Sequence, residues 1–287
     1  TSPQGVIAFY AANRMGAVAS MIHPLSTAKE IAFYLNVSNS RFALTLDAFY
    51  GKFKEVKNET PLERLILARI PDYLGLVKKI GFNLTKGRKI PKLPKSDKYM
   101  FWNDFLEAGA GAELPPIAMT ADEGASILYS GGTTGTTKGI LLSSRNFNAL
   151  ALQTVAASGY KTLHGMKMLS VMPLFHGFGL GIGIHAGLCA GASCILVPQF
   201  NIQTYAKLLK KKKPNLIPGV PTLFEALLRA EKLEKVDLSF LRGVFSGGDS
   251  LSIELKAKVD KFLKEHGATV QIREGYGTTE CVTASCL

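Results

Sequence analysis

Short apolar runs interleave with helix-forming stretches along this chain, and that alternation constrains its fold more than any other feature. Strand-like runs fall at 42–46, 65–68, 193–197, 216–220, 241–245 and 269–272, and helices are expected over 26–35, 203–213 and 221–229. Parallel neighbours need a crossover between them, so the pattern specifies an α/β fold with mostly parallel sheets. A helix over 5–19 and a strand at 18–22 precede it, and Ser26 is the expected cap of the 26–35 helix, with Glu30 placed for a capping box.

The stretch YSGGTTGTTKG at 129–139 breaks the alternation, because apolar runs at 125–128 and 140–142 bracket it as two strands with no helix between. Gly131, Gly132 and Gly135 can take positive φ and turn backbone N–H groups toward an anion. Ser130, Thr133, Thr134, Thr136 and Thr137 add hydroxyl donors, and Lys138 adds a mobile ammonium. A Walker-type loop is excluded: Thr137 stands where its second glycine belongs, Lys138 is followed by Gly139, and a strand follows instead of a helix. Two readings remain, a loop that holds phosphate and a glycine-threonine hairpin with no ligand. The hydroxyl density beside one lysine favours phosphate.

Three later stretches carry the same mixture of glycine and polar groups: PLFHGFG at 173–179, SGGDSL at 246–251 and GYGTTE at 275–280. The strands at 241–245 and 269–272 deliver the last two to their C-terminal ends, where open α/β sheets bind ligands. In this order the four motifs resemble the adenylate-forming enzymes: acyl-CoA synthetases, firefly luciferases and the adenylation domains of peptide synthetases. The likeness runs from residue 120 to the end and is weaker before it.

The resemblance implies stacked αβαβα subdomains with mostly parallel sheets, as in the large N-terminal domain of acyl-CoA synthetases. One subdomain would cover 1–165 with the phosphate loop, and the other 166–287 with the acyl and adenine motifs. It implies that residues 130–136 and Lys138 hold nucleotide phosphates, and that His176 lies beside the substrate carboxylate. Phe178, Gly248 and Gly275 would line the acyl pocket, with Gly247 and Gly248 running past the adenine. Tyr276 would stack on adenine within the turn of Gly277 and Thr278; Thr279 would meet the α-phosphate and Glu280 would hold Mg²⁺. His176, Lys138, Thr279 and Glu280 form the expected catalytic set. The implied reaction activates a carboxylic acid with ATP to acyl-AMP and passes the acyl group to a thiol, CoA. A glycine-rich helix after 173–179 favours a fatty or aryl acid over an amino acid. The chain is expected to begin within its fold and to stop before the family's small C-terminal domain, and so to turn over little by itself.

Charge and cysteine usage bound the partners. Thirty-four Lys and Arg against 22 Asp and Glu give a net charge of +12, which suits nucleotide and CoA phosphates or an acidic membrane surface. No aromatic interleaving or recognised motif points to nucleic acid. Residues 74–82 can form a short basic amphipathic helix within the lysine-rich stretch 78–98, which raises weak peripheral membrane contact beside a plain solvated face. A non-catalytic module binding anions or membranes is therefore the competing class. The cysteine pairs 189/194 and 281/286 lack the spacing of a zinc site and read as free thiols of a reducing cytoplasm. The N-terminus has no basic leader ahead of an apolar core, and Pro173, Pro198 and several glycines break the uncharged run 169–200, so neither signal peptide nor membrane span is expected. His185 is expected to be structural.

Overall fold

The structure, a computed structural model, describes residues 1–287 except 115, 117, 118, 132–136, 231, 232 and 234. Contacts divide the chain into two units, Pro3–Met119 and Thr120–Leu287, the latter with Thr1–Ser2.

In the first unit, α1 (Pro3–Arg14) is shorter than the 5–19 helix predicted, because Gly16 takes φ +83° and stops it. After β1 (Ala19–Met21), α2 (Ala28–Val37) starts from a capping box on Thr27. The Glu30 N–H donates to the Thr27 hydroxyl at 3.3 Å, and the Thr27 N–H donates to the Glu30 carboxylate at 2.7 Å. Ser26, the predicted cap, stands one residue too early to place Glu30 third in the helix; it is buried, and its carbonyl accepts from Lys52 Nζ at 2.6 Å. A three-stranded parallel sheet follows, built from β2 (Phe42–Leu46), β3 (Arg64–Ala68) and β4 (Met100–Phe101) in that order. Its core joins Leu65 and Leu67 to Ile31 and Leu35 of α2 and to Phe53 of α3 (Tyr50–Val56). Helix α4 (Leu76–Leu84) lies between β3 and β4 in sequence, and α5 (Trp102–Ala108) follows β4.

The second unit begins with an antiparallel hairpin, β5 (Gly124–Gly131) and β6 (Thr137–Ser143), in which Ser130 faces Lys138 and Gly131 faces Thr137. Ser143 caps α6 (Ser144–Ser158), its hydroxyl accepting the Asn146 N–H at 3.3 Å. Then come β7 (Lys167–Ser170), a π-helical segment (Phe178–Ala186) running into α7 (Gly187–Cys189), β8 (Ser193–Leu196), α8 (Ile202–Lys212), β9 (Leu216–Gly219), α9 (Pro221–Leu228), β10 (Gly243–Ser246), α10 (Ile253–Glu265) and β11 (Ile272–Glu274). The five strands after the hairpin are all parallel, in the order β11-β10-β9-β7-β8.

Side chains alternate across this sheet as the pleat requires. Leu169, Ile217 and Val244 pack with Tyr205, Leu209, Phe224 and Val259 of the helices α8 to α10, while Met168, Leu216 and Phe245 pack with Leu163 and Val155. The unit boundary at Thr120 differs from the division predicted after residue 165, because α6 packs on the π-helical segment. The Phe147 ring meets His185 at 5.7 Å between centroids, and Asn148 Oδ1 lies 3.0 Å from His185 Nε2, which gives His185 its structural role. Among the described residues no helix is long and apolar enough to cross a membrane.

Candidate active site

Three glycine-bearing turns meet at the C-terminal ends of the parallel strands. The Gly247 N–H donates to the Gly219 carbonyl at 3.0 Å, and the Gly275 N–H donates to the Ser246 carbonyl at 2.8 Å, so the ends of β9, β10 and β11 are stitched through backbone. A Cβ on Gly247 would stand 3.2 Å from the Gly275 oxygen and 3.6 Å from the Phe178 ring, and Gly248 turns away at φ +83°. The Glu274 carboxylate accepts the Leu251 N–H at 2.8 Å and fixes the turn after the glycine pair.

His176 ends the turn that enters the π-helical segment. Its Nδ1 accepts the Phe178 N–H at 3.1 Å. The protein packed around the ring pushes its pKa below the ordinary imidazole value, while one edge stays open to solvent. The ring is therefore neutral near pH 7 and, with Nδ1 accepting, carries its proton on Nε2.

A cleft of about 280 Å³ lies among these turns and brings together His176, Phe178, Gly247, Gly248, Gly275, Tyr276, Gly277, Thr278 and Thr279. Phe178 is buried, and Leu150 and Thr154 of α6 with Ile182 extend the same wall. The Tyr276 ring is 66% exposed, open for a planar ligand to stack on.

Glu280 is placed differently. It sits exposed in the single turn Thr279–Cys281 and does not line the cleft. Strands β5 and β6 pack against that turn, which carries both Thr279 and Glu280, so the hairpin of Ser130, Gly131 and Lys138 lies beside it. Gly132, Thr133, Thr134, Gly135 and Thr136 lie outside the described residues. Among the described residues no three His, Cys, Asp or Glu side chains gather to hold a metal. A single carboxylate completed by phosphate oxygens and water is a donor set that suits Mg²⁺, so Glu280 fits that ion as the companion of a nucleotide.

Two features of the cleft escaped the sequence reading. The Ser246 hydroxyl is buried on the cleft wall with no partner among the described residues; the only signal was a serine before the glycine pair. The segment 282–287 also lines the cleft, returning so that the Tyr276 N–H donates to the Cys286 carbonyl at 3.0 Å. Nothing in its composition announces that return.

Known proteins resemble this chain along nearly its whole length. A long-chain-fatty-acid–CoA ligase of Bacillus subtilis (strain 168) is 30% identical over 281 residues, 97% of this chain and 49% of that protein. A 4-coumarate–CoA ligase of Solanum tuberosum is 28% identical over 289 residues, 99% of this chain and 48% of its own length. The chain spans about half the length of the curated relatives it matches. The fold matches the crystal structure of a long-chain-fatty-acid-CoA ligase, FadD1, from Archaeoglobus fulgidus with a TM-score of 0.80 at 22% identity, over 99% of this chain and 52% of that one. It also matches the anthranilate CoA ligase AuaEII in complex with anthranoyl-AMP, with a TM-score of 0.78 at 22% identity over 99% and 49% of the two chains. The sequence model of the AMP-binding enzyme family matches residues 1–287 throughout, and the chain belongs to that adenylate-forming family.

Proposed function

We propose that the protein is an ATP-dependent acid–thiol ligase, acting on a fatty acid, to which this chain contributes the nucleotide and acyl sites. The observation that carries the reading is the convergence of the 173–179, 246–251 and 275–280 turns on one cleft at the strand ends. The substrate carboxylate attacks the α-phosphorus of ATP, the bond to pyrophosphate breaks, and acyl-AMP forms; the sulfur of CoA then attacks the acyl carbonyl and AMP leaves. No protein nucleophile takes part. His176 offers an Nε2–H to an oxygen of the carboxylate or of the acyl phosphate as charge shifts between them. Tyr276 stacks on the adenine, and the side-chain-free backbone at Gly247 and Gly248 lets base and acyl group lie close to the sheet edge. Thr279 donates to the α-phosphate, and Ser130 with Lys138 reaches phosphate from the hairpin side. Glu280 would hold Mg²⁺, which when bound neutralises phosphate charge.

Phe178, Ile182 and Leu150 make the acid side apolar, which supports a hydrocarbon tail. An aryl acid is the second reading, favoured by the 28% identity to 4-coumarate–CoA ligase. Thermal-shift titration tests both. ATP with Mg²⁺ at about 100 times its Kd stabilises a folded site by roughly 2.7 kcal/mol. GTP should do little, Tyr276→Ala should weaken the stabilisation by ATP, and non-hydrolysable palmitoyl-AMP and coumaroyl-AMP mimics should rank the acids. Equal stabilisation by ATP and GTP, unchanged in Tyr276→Ala, would overturn the assignment.

A further inference from the structure

We infer that α4 and the turn after it form a docking surface for an anionic lipid bilayer. An amphipathic helix in a globular unit turns its apolar stripe inward; α4 does the reverse. At about 100° per residue, Leu76, Ile80, Leu84 and Val77 fall within one arc of about 100°. They are 73%, 52%, 57% and 84% exposed. The opposite side carries Phe82, which is half-buried, and a Cβ on Gly87 would meet its ring at 3.3 Å. The aromatic side thus faces the turn that follows the helix, and the aliphatic stripe faces solvent.

Charge selects the occupant. Between residues 73 and 96 stand Lys78, Lys79, Lys86, Arg88, Lys89, Lys92 and Lys95, with no Asp or Glu among them. All seven are exposed, and none takes part in an ion pair among the described residues. Unpaired cations flanking an aliphatic stripe match the interface of a membrane with anionic headgroups, where the stripe enters the acyl boundary and the ammonium groups stay with phosphate. Nucleic acid would satisfy the cations and leave the stripe wet, so lipid is the better fit. The helix also lacks a side-chain cap at Gly75 and contains Gly81, so a surface that buries its stripe would order it further. This surface belongs to the first unit and shares no residue with the cleft.

The test is co-sedimentation of the 287-residue chain with phosphatidylcholine vesicles, with and without phosphatidylglycerol, at low and moderate salt. Retention on phosphatidylglycerol vesicles only, released by salt, is expected. Lys78→Glu with Lys79→Glu should lower partitioning about tenfold or more, since each cation near an anionic surface is worth roughly a fivefold step. Val77→Asp with Ile80→Asp should lower it comparably. Both pairs are solvent-exposed, and a circular dichroism melt confirms that the variants fold. Absence of retention at low salt would overturn the inference. So would retention that ignores Val77 and Ile80 while heparin or RNA binds equally well, which would make the surface a general polyanion site.

Discussion

Replacing Gly277 with alanine puts the packing around the adenine turn to a quantitative test. A Cβ there would stand 1.3 Å from the Thr283 carbonyl oxygen and 2.3 Å from its carbon, where ordinary contact begins at 3.4 Å. The Thr283 backbone must therefore withdraw by about 2 Å, the difference between 3.4 and 1.3 Å, since a peptide unit in van der Waals contact cannot be compressed. That withdrawal pulls on Val282, which is 1% exposed, and on the bonds that tie Ser285 and Cys286 to Tyr276. Exposing the valine costs roughly 1.5–3 kcal/mol, and each lost hydrogen bond about 1 kcal/mol. The second unit should lose roughly 3–5 kcal/mol, a fall in Tm on the order of 10 °C. Gly51→Ala is the matched control. Gly51 lies in α3 with nothing within 4 Å of its would-be Cβ, so alanine should stabilise by about 0.5–1 kcal/mol. Urea and thermal unfolding measure both. If Gly277→Ala unfolds within about 0.5 kcal/mol of the parent, as an uneventful surface change would, the close approach of residues 277 and 283 is refuted.

Tyr205 is fully buried in α8 with its hydroxyl unpartnered among the described residues, and burial pushes its phenol well above the ordinary value. Tyr205→Phe removes that desolvated group and keeps the ring against Phe200, so urea melts should show no loss and up to about 1 kcal/mol of gain. A loss of more than about 1 kcal/mol would mean that the hydroxyl has a partner. Burial also holds His176 and His185 below the ordinary imidazole value. The unfolded chain then takes up protons first as pH falls through about 6.5, so this contribution is intact above that pH and lost below it. His176→Gln should flatten part of the fall in stability between about pH 7 and pH 5; an unchanged slope would assign the fall to other groups.

The turns were legible because glycine and hydroxyl residues collect where a chain must bend sharply and meet polar ligands, and β2 appears at its predicted residues because a short apolar run between turn signals is a local pattern. Strand order was not legible. Nothing local in 216–219 says that β9 lies between β10 and β7, because adjacency in a parallel sheet is decided by how the crossover helices pack. The same limit hid the allegiance of α6, which follows from the contact of Phe147 and Asn148 with His185 across 37 residues of sequence. Glu280 and Lys138 were legible as chemistry but not as position: their motifs gave no sign that they lie outside the cleft.

The backbone stitching of Gly247 to Gly219 and of Gly275 to Ser246 divides the cleft into a conservative half and an adaptable one. The half built from peptide groups offers substitution almost nothing to vary, since an added Cβ at Gly247 or Gly277 crowds neighbouring main chain. The half formed by Leu150, Thr154 and Ile182 is made of side chains on helical segments, each replaceable without disturbing a strand end. On the proposed reading, a lineage built on this plan can exchange the acid it accepts by a few point changes on that wall while its nucleotide stays the same.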